Sequence, residues 1–327
     1  MWYGREVIRI VKPEGFGNIR LQEAPVPDIG AREVLVRTEA TLISRGSELF
    51  RRYIKEEAVP QRIMGYSLAG TVERVGAAVS EYRAGQRVFV TAPHAQYAVG
   101  DADSTDARLV PLPEGVTSEQ ATLLRLATEA TAWAASSGAR QGDTIVILGQ
   151  GVVGSLMLQI LRGCRPECIV TVDPLPLRRQ LSRELGADLV IDPGQEDPVA
   201  AVARLTGGAG ADLVVDCVGG YDGVHSFEQA QEMVRRRGTV QLIAAYQQRP
   251  LPLDSAKIMH RRLVAGILVD EPLSQVALRA AAMIASGNIH ADRMITHRFP
   301  YTRAKEAYDF LWNSPQEALG VLLTWHE

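Results

Sequence analysis

The chain has 327 residues, 46% of them hydrophobic and 22% charged, with a formal net charge of -3, a composition that gives an ordinary globular protein of about two domains and excludes a disordered or fibrous one. The two signs of charge are interspersed, which excludes the basic face of a nucleic-acid binder, and no run of about 18 apolar residues is present to span a bilayer. The N-terminal MWYGREVIRIVKPEG carries charges at Arg5, Glu6, Arg9 and Lys12 where a secretory signal needs an apolar stretch, and the three cysteines, Cys164, Cys168 and Cys217, are too few for a disulfide framework, so the expected setting is a reducing cytoplasm.

In chain order, VIRIVKP, VLVRTEATLIS, LAGTVERVG and QRVFVTA are short β-branched runs bounded by Gly, Pro and Asp. No helix-length periodic segment separates them, which predicts a folded-over antiparallel sheet or partial barrel. Near residue 118 the pattern changes. SEQATLLRLATEATAWAASSGA reads as a helix with Ser118 as N-cap and Gly138 as C-cap. Strands and helices then alternate: TIVILG, a helix over 152–162, CIVTVD, a helix over 177–185, DLVID, VAAVARL, DLVVDCVG, SFEQAQEMV and GTVQLIAA. Near-continuous apolar strands between helices predict a doubly wound parallel sheet, so the fold class is α/β. The run Arg235, Arg236, Arg237 reads as a solvated helix end, where cations suit the dipole. A strand at LVAGILV and a helix at LSQVALRAAAMIASG follow. From about residue 289 the alternation ends, and ITHRF, TRAKEAYDFLWN and GVLLTW read as completing the N-terminal domain. The expected domains are a β-rich one, 1–117 with 289–327, and a dinucleotide-binding one, 118–288.

TIVILGQGVVGSLMLQIL holds Gly149, Gly151 and Gly154 in G-x-G-x-x-G spacing, between a strand and a helix. Gly149 permits the tight turn, Gly151 lets the backbone approach a pyrophosphate, and Gly154 lets helix and strand pack closely. The helix opens at Val152 and Val153, so free N–H groups face the phosphates. Asp173 ends the next strand at the distance where a carboxylate accepts from the ribose hydroxyls and repels a 2′-phosphate. This predicts NAD over NADP, a preference that Arg178 and Arg179 on the following helix oppose. Ligands lie outside the carboxyl ends of parallel strands, so Val218, in Cys217–Gly219, and the segment 244–246 are expected near the cofactor. Cys217 reads as a small packing residue.

These motifs resemble the medium-chain dehydrogenase/reductase superfamily over essentially the whole chain. VPDIGAREVLVRTEATLIS is similar to the family's opening run, MGYSLAGTVERVG to its G-H-E-x-x-G-x-V-x-x-V-G segment, and YRAGQRVFV to its F-x-x-G-D-R-V strand. HAQYAV is similar to its A-E-Y-V segment and ITHRFPYTRAKEAYDFL to its C-terminal helix. The resemblance implies a Rossmann domain joined to a β-rich GroES-like catalytic domain, a nicotinamide cofactor, a small-molecule substrate and a homodimer paired through LVAGILV. Charge distribution and the length of the apolar runs leave no nucleic-acid or membrane partner to expect. The resemblance also places Thr131 beside the nicotinamide, with packing as the other reading.

The resemblance departs at the metal. The family's ligand positions fall at Ser44 or Arg45, at Tyr66 with Ser67 beside it, and near Ala127; the loop of four cysteines that holds a structural zinc is missing between Val90 and Tyr97. No metal is therefore expected. The groups left to stabilise a reacting oxygen are Tyr66, Ser44, Ser47, Glu48, which resembles the family's following acid, and His94 on the shortened loop. Tyr53 and the paired Arg51 and Arg52 precede a loop into the cleft, and the two arginines read as surface residues unless the substrate is anionic. The expected activity is zinc-independent hydride transfer between NAD(P) and the alcohol or ketone of a small organic substrate. The alternatives are a quinone or enone reductase, or a dinucleotide-binding protein without turnover.

Overall fold

The computed structural model describes residues 6–244 and 250–325. β1 (Glu6–Val11) and β2 (Arg20–Pro25) form an antiparallel ribbon. β3 (Glu33–Ile43) is the spine of a second sheet. It pairs antiparallel with β4 (Leu68–Val75) and β6 (Tyr97–Asp101), and β5 (Arg87–Val90) links β4 to β7 (Leu109–Pro111). Helix α1 (Ser118–Ala121) is capped by Thr117, one residue before the expected Ser118. Thr117 Oγ1 accepts the Gln120 N–H at 3.2 Å while Gln120 Oε1 accepts the Thr117 N–H at 2.9 Å, the reciprocal pair that Ser118 could not make with Gln120. α2 (Leu124–Ser137) ends at Gly138, whose φ of +78° suits a helix stop.

Six parallel strands follow: β8 (Thr144–Leu148), β9 (Cys168–Val172), β10 (Leu189–Ile191), β11 (Ala211–Asp216), β12 (Val234–Leu242) and β13 (Arg262–Ala265). Their order is β10-β9-β8-β11-β12-β13. The connecting helices are α3 (Val152–Arg162), α4 (Pro176–Glu184), α5 (Pro198–Leu205), α6 (Gly223–Met233) and α7 (Ser255–Ile258). Ile145, Val146 and Ile147 are consecutive and all fully buried. A strand covered on both faces has no polar side, which is why these runs do not alternate.

The three arginines correct one expectation. α6 stops at Met233, and Arg235–Arg237 lie in β12. Arg235 Nε donates to Asp212 at 2.5 Å, and the Arg237 N–H donates to the His260 carbonyl at 2.9 Å. A carboxylate at the head of the neighbouring strand gives the first guanidinium a partner that a frayed helix end lacks.

α8 (Leu273–Ala285), α9 (Ala291–Met294), β14 (Ile295–Pro300), α10 (Ala304–Asn313) and β15 (Gly320–Thr324) complete the chain. β15 runs antiparallel to β3 and parallel to β14, so the tail joins the first sheet, whose order is β14-β15-β3-β4-β5-β7. Two compact units result: 1–128 with 271–327, and 129–270. Residues 118–128 and 271–288, expected in the dinucleotide-binding unit, fall in the β-rich one, where α1 packs on β3, β4 and β5 and α8 on β7. No described helix is long and apolar enough to cross a membrane.

Candidate active site

In the β-rich unit the chain leaves β3 through Ser44 and enters a π-helix, Arg45–Tyr53. Ser44 caps it in an extended conformation. Its Oγ accepts the Ser47 N–H at 3.4 Å, and its own N–H donates to Glu48 Oε1 at 2.9 Å. This is a capping box one residue longer than usual, as the wider helix requires, and it turns Glu48 into the interior. Glu48 Oε2 accepts from His94 Nε2 at 2.9 Å and from the Tyr308 hydroxyl.

Glu48, His94 and Tyr308 are all fully buried. Burial pushes the Glu48 carboxyl up. The His94 imidazole, through charge when protonated and through its hydrogen bond, reverses this together with the Ser44 N–H and the Tyr308 hydroxyl, and holds Glu48 below the ordinary carboxylate range. Burial and the Glu48 charge push Tyr308 well above the usual phenol range, so it remains a donor. An ionised carboxylate has no proton to give, so the Nε2 proton belongs to the imidazole. His94 Nδ1 is buried with no hydrogen-bond partner. Gly65, at φ +100°, lets the imidazole lie against the backbone, since a Cβ there would stand 2.8 Å from the His94 N and ring.

Tyr66 follows at once, and its hydroxyl donates to Ser44 Oγ at 2.7 Å. The structure thus joins all five candidate residues, Ser44, Ser47, Glu48, Tyr66 and His94, in one network, with Tyr66 partly exposed and His94 and Glu48 sealed behind it. Tyr53 is a core residue: its hydroxyl donates to Asp309 Oδ1 at 2.8 Å and its ring stacks on Tyr308 at 6.1 Å. Arg51 is exposed, Arg52 is partly buried, and both belong to the π-helix. Ser67 is buried. Tyr308 is the member that sequence reasoning missed. In α10 it shares a buried stripe with Ala304, Ala307 and Leu311, and helical spacing marks such a position as core without revealing what its hydroxyl does. Among the described residues no three or more His, Cys, Asp or Glu side chains are grouped as metal ligands would be.

In the other unit β8 delivers the glycine turn. Gly149 has φ +82°, a left-handed conformation that side chains resist. Gly151 caps α3 with no side chain on the helix end, and a Cβ built on it meets nothing within 4 Å. A Cβ on Gly154 would lie 1.9 Å from the Gly149 carbonyl oxygen. Val152 and Val153 open α3 above this turn. Val218 packs on Gly149, with its Cγ2 2.9 Å from where a Cβ would be.

Asp173 is buried behind the turn. Its Oδ2 accepts the Gln150 N–H at 2.7 Å and its Oδ1 the Leu175 N–H at 2.8 Å; each oxygen keeps a second lone pair. Arg178 Nη1 stands 3.6 Å from Asp173, and its buried Nε has no hydrogen-bond partner. Arg179 is committed to the Asp173 and Pro174 carbonyls and to Asp192. Gln150, also unpredicted, braces the turn: its Oε1 accepts the Ser182 hydroxyl of α4 at 3.1 Å. Thr131 is nearly buried in α2. Burial pushes the Cys217 thiol well above its usual range, as a packing residue requires. Of the segment 244–246, residues 245 and 246 lie outside the described residues. A glycine-lined opening over a bare helix N-terminus, with a carboxylate behind it, fits a dinucleotide.

Comparison with known proteins covers both units. Residues 30–123 match the alcohol dehydrogenase GroES-like domain and residues 152–284 the zinc-binding dehydrogenase domain. An alcohol dehydrogenase of Cupriavidus necator is 25% identical over 360 residues, covering 95% of this chain and 96% of its own. An L-threonine 3-dehydrogenase of Pyrococcus abyssi is 26% identical over 337 residues, covering 94% and 95%. In fold the chain is similar to an alcohol dehydrogenase of Escherichia coli CFT073 solved with its cofactor NADH, at a TM-score of 0.83 and 20% identity over 98% of this chain and 100% of that one.

Proposed function

The chain belongs to the medium-chain dehydrogenase/reductase superfamily, and from that membership we propose that it is a zinc-independent dehydrogenase that prefers NAD(H) and acts on the alcohol/carbonyl pair of a small organic molecule. The observation that carries this reading is the Tyr66–Ser44 hydroxyl pair: the resemblance puts Tyr66 at the family's His ligand position and Ser44 at or beside its Cys position. A catalytic zinc needs three protein ligands drawn from Cys, His and carboxylates. Here those positions hold Ser44 or Arg45, Tyr66 and, near the third, Ala127, while the nearby His94 and Glu48 are bonded to each other. The donor set does not fit the metal.

When bound, the nicotinamide supplies or accepts the hydride. Gly149, Gly151, Gly154 and the α3 N-terminus would hold its pyrophosphate, and Asp173 its adenosine ribose. A phenol of ordinary pKa, about 10, donates a proton at neutral pH without carrying a charge, and that is the role proposed for Tyr66. In the reducing direction Tyr66 Oη donates to the carbonyl oxygen and passes its proton as negative charge develops there. Ser44 Oγ, 2.7 Å away, then turns its own proton toward Tyr66 Oη.

Two measurements test this reading. The purified protein should contain well under one zinc per chain by elemental analysis, and EDTA should leave turnover unchanged; one tightly held zinc per chain whose removal abolishes turnover would sink the proposal. The wild type should bind NADH at least about tenfold more tightly than NADPH, a difference of about 1.4 kcal/mol. Asp173→Ala should bring the two affinities within about threefold and lower the melting temperature, because it leaves the buried Gln150 N–H without its acceptor. Equal affinities in the wild type would give the choice to Arg178.

A further inference from the structure

Building on the reading of Tyr66 as proton donor, we infer that Glu48, held in place by His94 and Tyr308, is a positioning residue that orients the Ser44–Tyr66 hydroxyl pair and keeps a negative charge behind it. Ser44 is the joint. Its backbone N–H is tied to Glu48 Oε1 at 2.9 Å, and its hydroxyl receives Tyr66 at 2.7 Å. A change at Glu48 therefore reaches Tyr66 through one residue.

The side-chain hydrogen bonds of the other two groups both end on the carboxylate. His94 comes from the chain after β5, and its single side-chain hydrogen bond goes to Glu48, with Nδ1 unpartnered. Tyr308 comes from α10, and its hydroxyl goes to the same oxygen. The remaining charged or titratable neighbours are Arg52, which acts on Tyr308, and the Tyr53–Asp309 pair beside it. No lysine or arginine is hydrogen-bonded to Glu48 among the described residues. Fold stability does not by itself call for a buried charge, since a buried charge network replaced by apolar side chains of similar volume is often neutral or stabilising. Three donors from three segments maintain one buried anion, and the one group beyond them that it controls is the hydroxyl pair.

The test reads the ionisation of Tyr66 as the difference in tyrosinate absorbance between each protein and the same protein carrying Tyr66→Phe. Near pH 10 Glu48 is ionised in every variant that retains it. Removing its charge in Glu48→Gln should lower the pH at which Tyr66 ionises by at least about half a pH unit. Tyr308→Phe removes a donor that draws on the same charge, leaves more of it acting on Tyr66, and should raise that pH. Glu48→Asp keeps the charge and should stay on the wild-type side of Glu48→Gln. NADH affinity, measured by fluorescence, should be unchanged in all three. A merely structural role moves both substitutions the same way or neither, and either result overturns the inference. If Glu48→Gln does not fold, Tyr308→Phe still decides the matter by its sign. Opposite shifts together with full turnover in Tyr66→Phe would uphold the positioning and refute Tyr66 as the donor.

Discussion

Gly151→Ala should weaken NADH binding at least about a hundredfold, or about 2.7 kcal/mol, while leaving the melting temperature within about 2 °C of the wild type. Gly154→Ala should lose both binding and stability. The two glycines are three residues apart and constrained for different reasons. Gly151 has φ -68°, open to any residue, and its missing Cβ faces empty space. A methyl group there strains nothing in the free protein. It occupies the volume through which phosphate oxygens must come within about 3 Å of backbone N–H groups. Gly154 faces the Gly149 carbonyl oxygen at 1.9 Å from its would-be Cβ, and a backbone atom cannot swing aside as a side chain can. The turn must open, at a cost of about 1–3 kcal/mol or more. Fluorescence titration with NADH and thermal unfolding on both variants make the comparison. Wild-type affinity in Gly151→Ala would mean that the pyrophosphate does not lie over this turn.

Tyr66→Phe should cut turnover at least about a hundredfold with NADH affinity unchanged. The substitution keeps the ring and removes only the hydroxyl that donates to Ser44 Oγ at 2.7 Å. A positioned acid–base or oxyanion donor contributes about two to four orders of magnitude in rate, whereas the loss of one partly solvated hydrogen bond changes stability by about 1 kcal/mol. The measurement is kcat on a panel of small alcohols and ketones, on whichever substrate the wild type turns over. A fall of only a few-fold would reduce Tyr66 to a packing residue and pass the proton to Ser44 Oγ or to water.

The glycine turn was readable in the sequence because backbone sterics admit no other residue at Gly149 or Gly154, and the β8–α3 context stands on both sides of it. The parallel order of strands was readable from their unbroken apolar runs. Networks that close over long separations were not. Glu48 meets Tyr308 across 260 positions and His94 across 46, and nothing local to any of the three records the meeting. A hydroxyl on a buried helical stripe looks like core. Asp173 was legible as a carboxylate at a strand end, but not its bonds to Gln150 and Leu175, which depend on how the turn folds back. The arginines of β12 misled for a similar reason: Asp212, the partner of Arg235, lies on an adjacent strand.

The β-rich unit is assembled from both ends of the chain, because β15 completes the sheet beside β3 and Tyr308 completes the cage around Glu48. This imposes an order on biosynthesis. Residues 129–270 are contiguous, so their six strands are all present once that stretch leaves the ribosome, whereas β3 must wait for β15 before its sheet is complete. During that interval β3 presents an unpaired edge and Glu48 lacks one of its donors, so the nascent chain is most exposed to misassociation at β3. A premature stop before α10 would damage the opposite end of the sequence first.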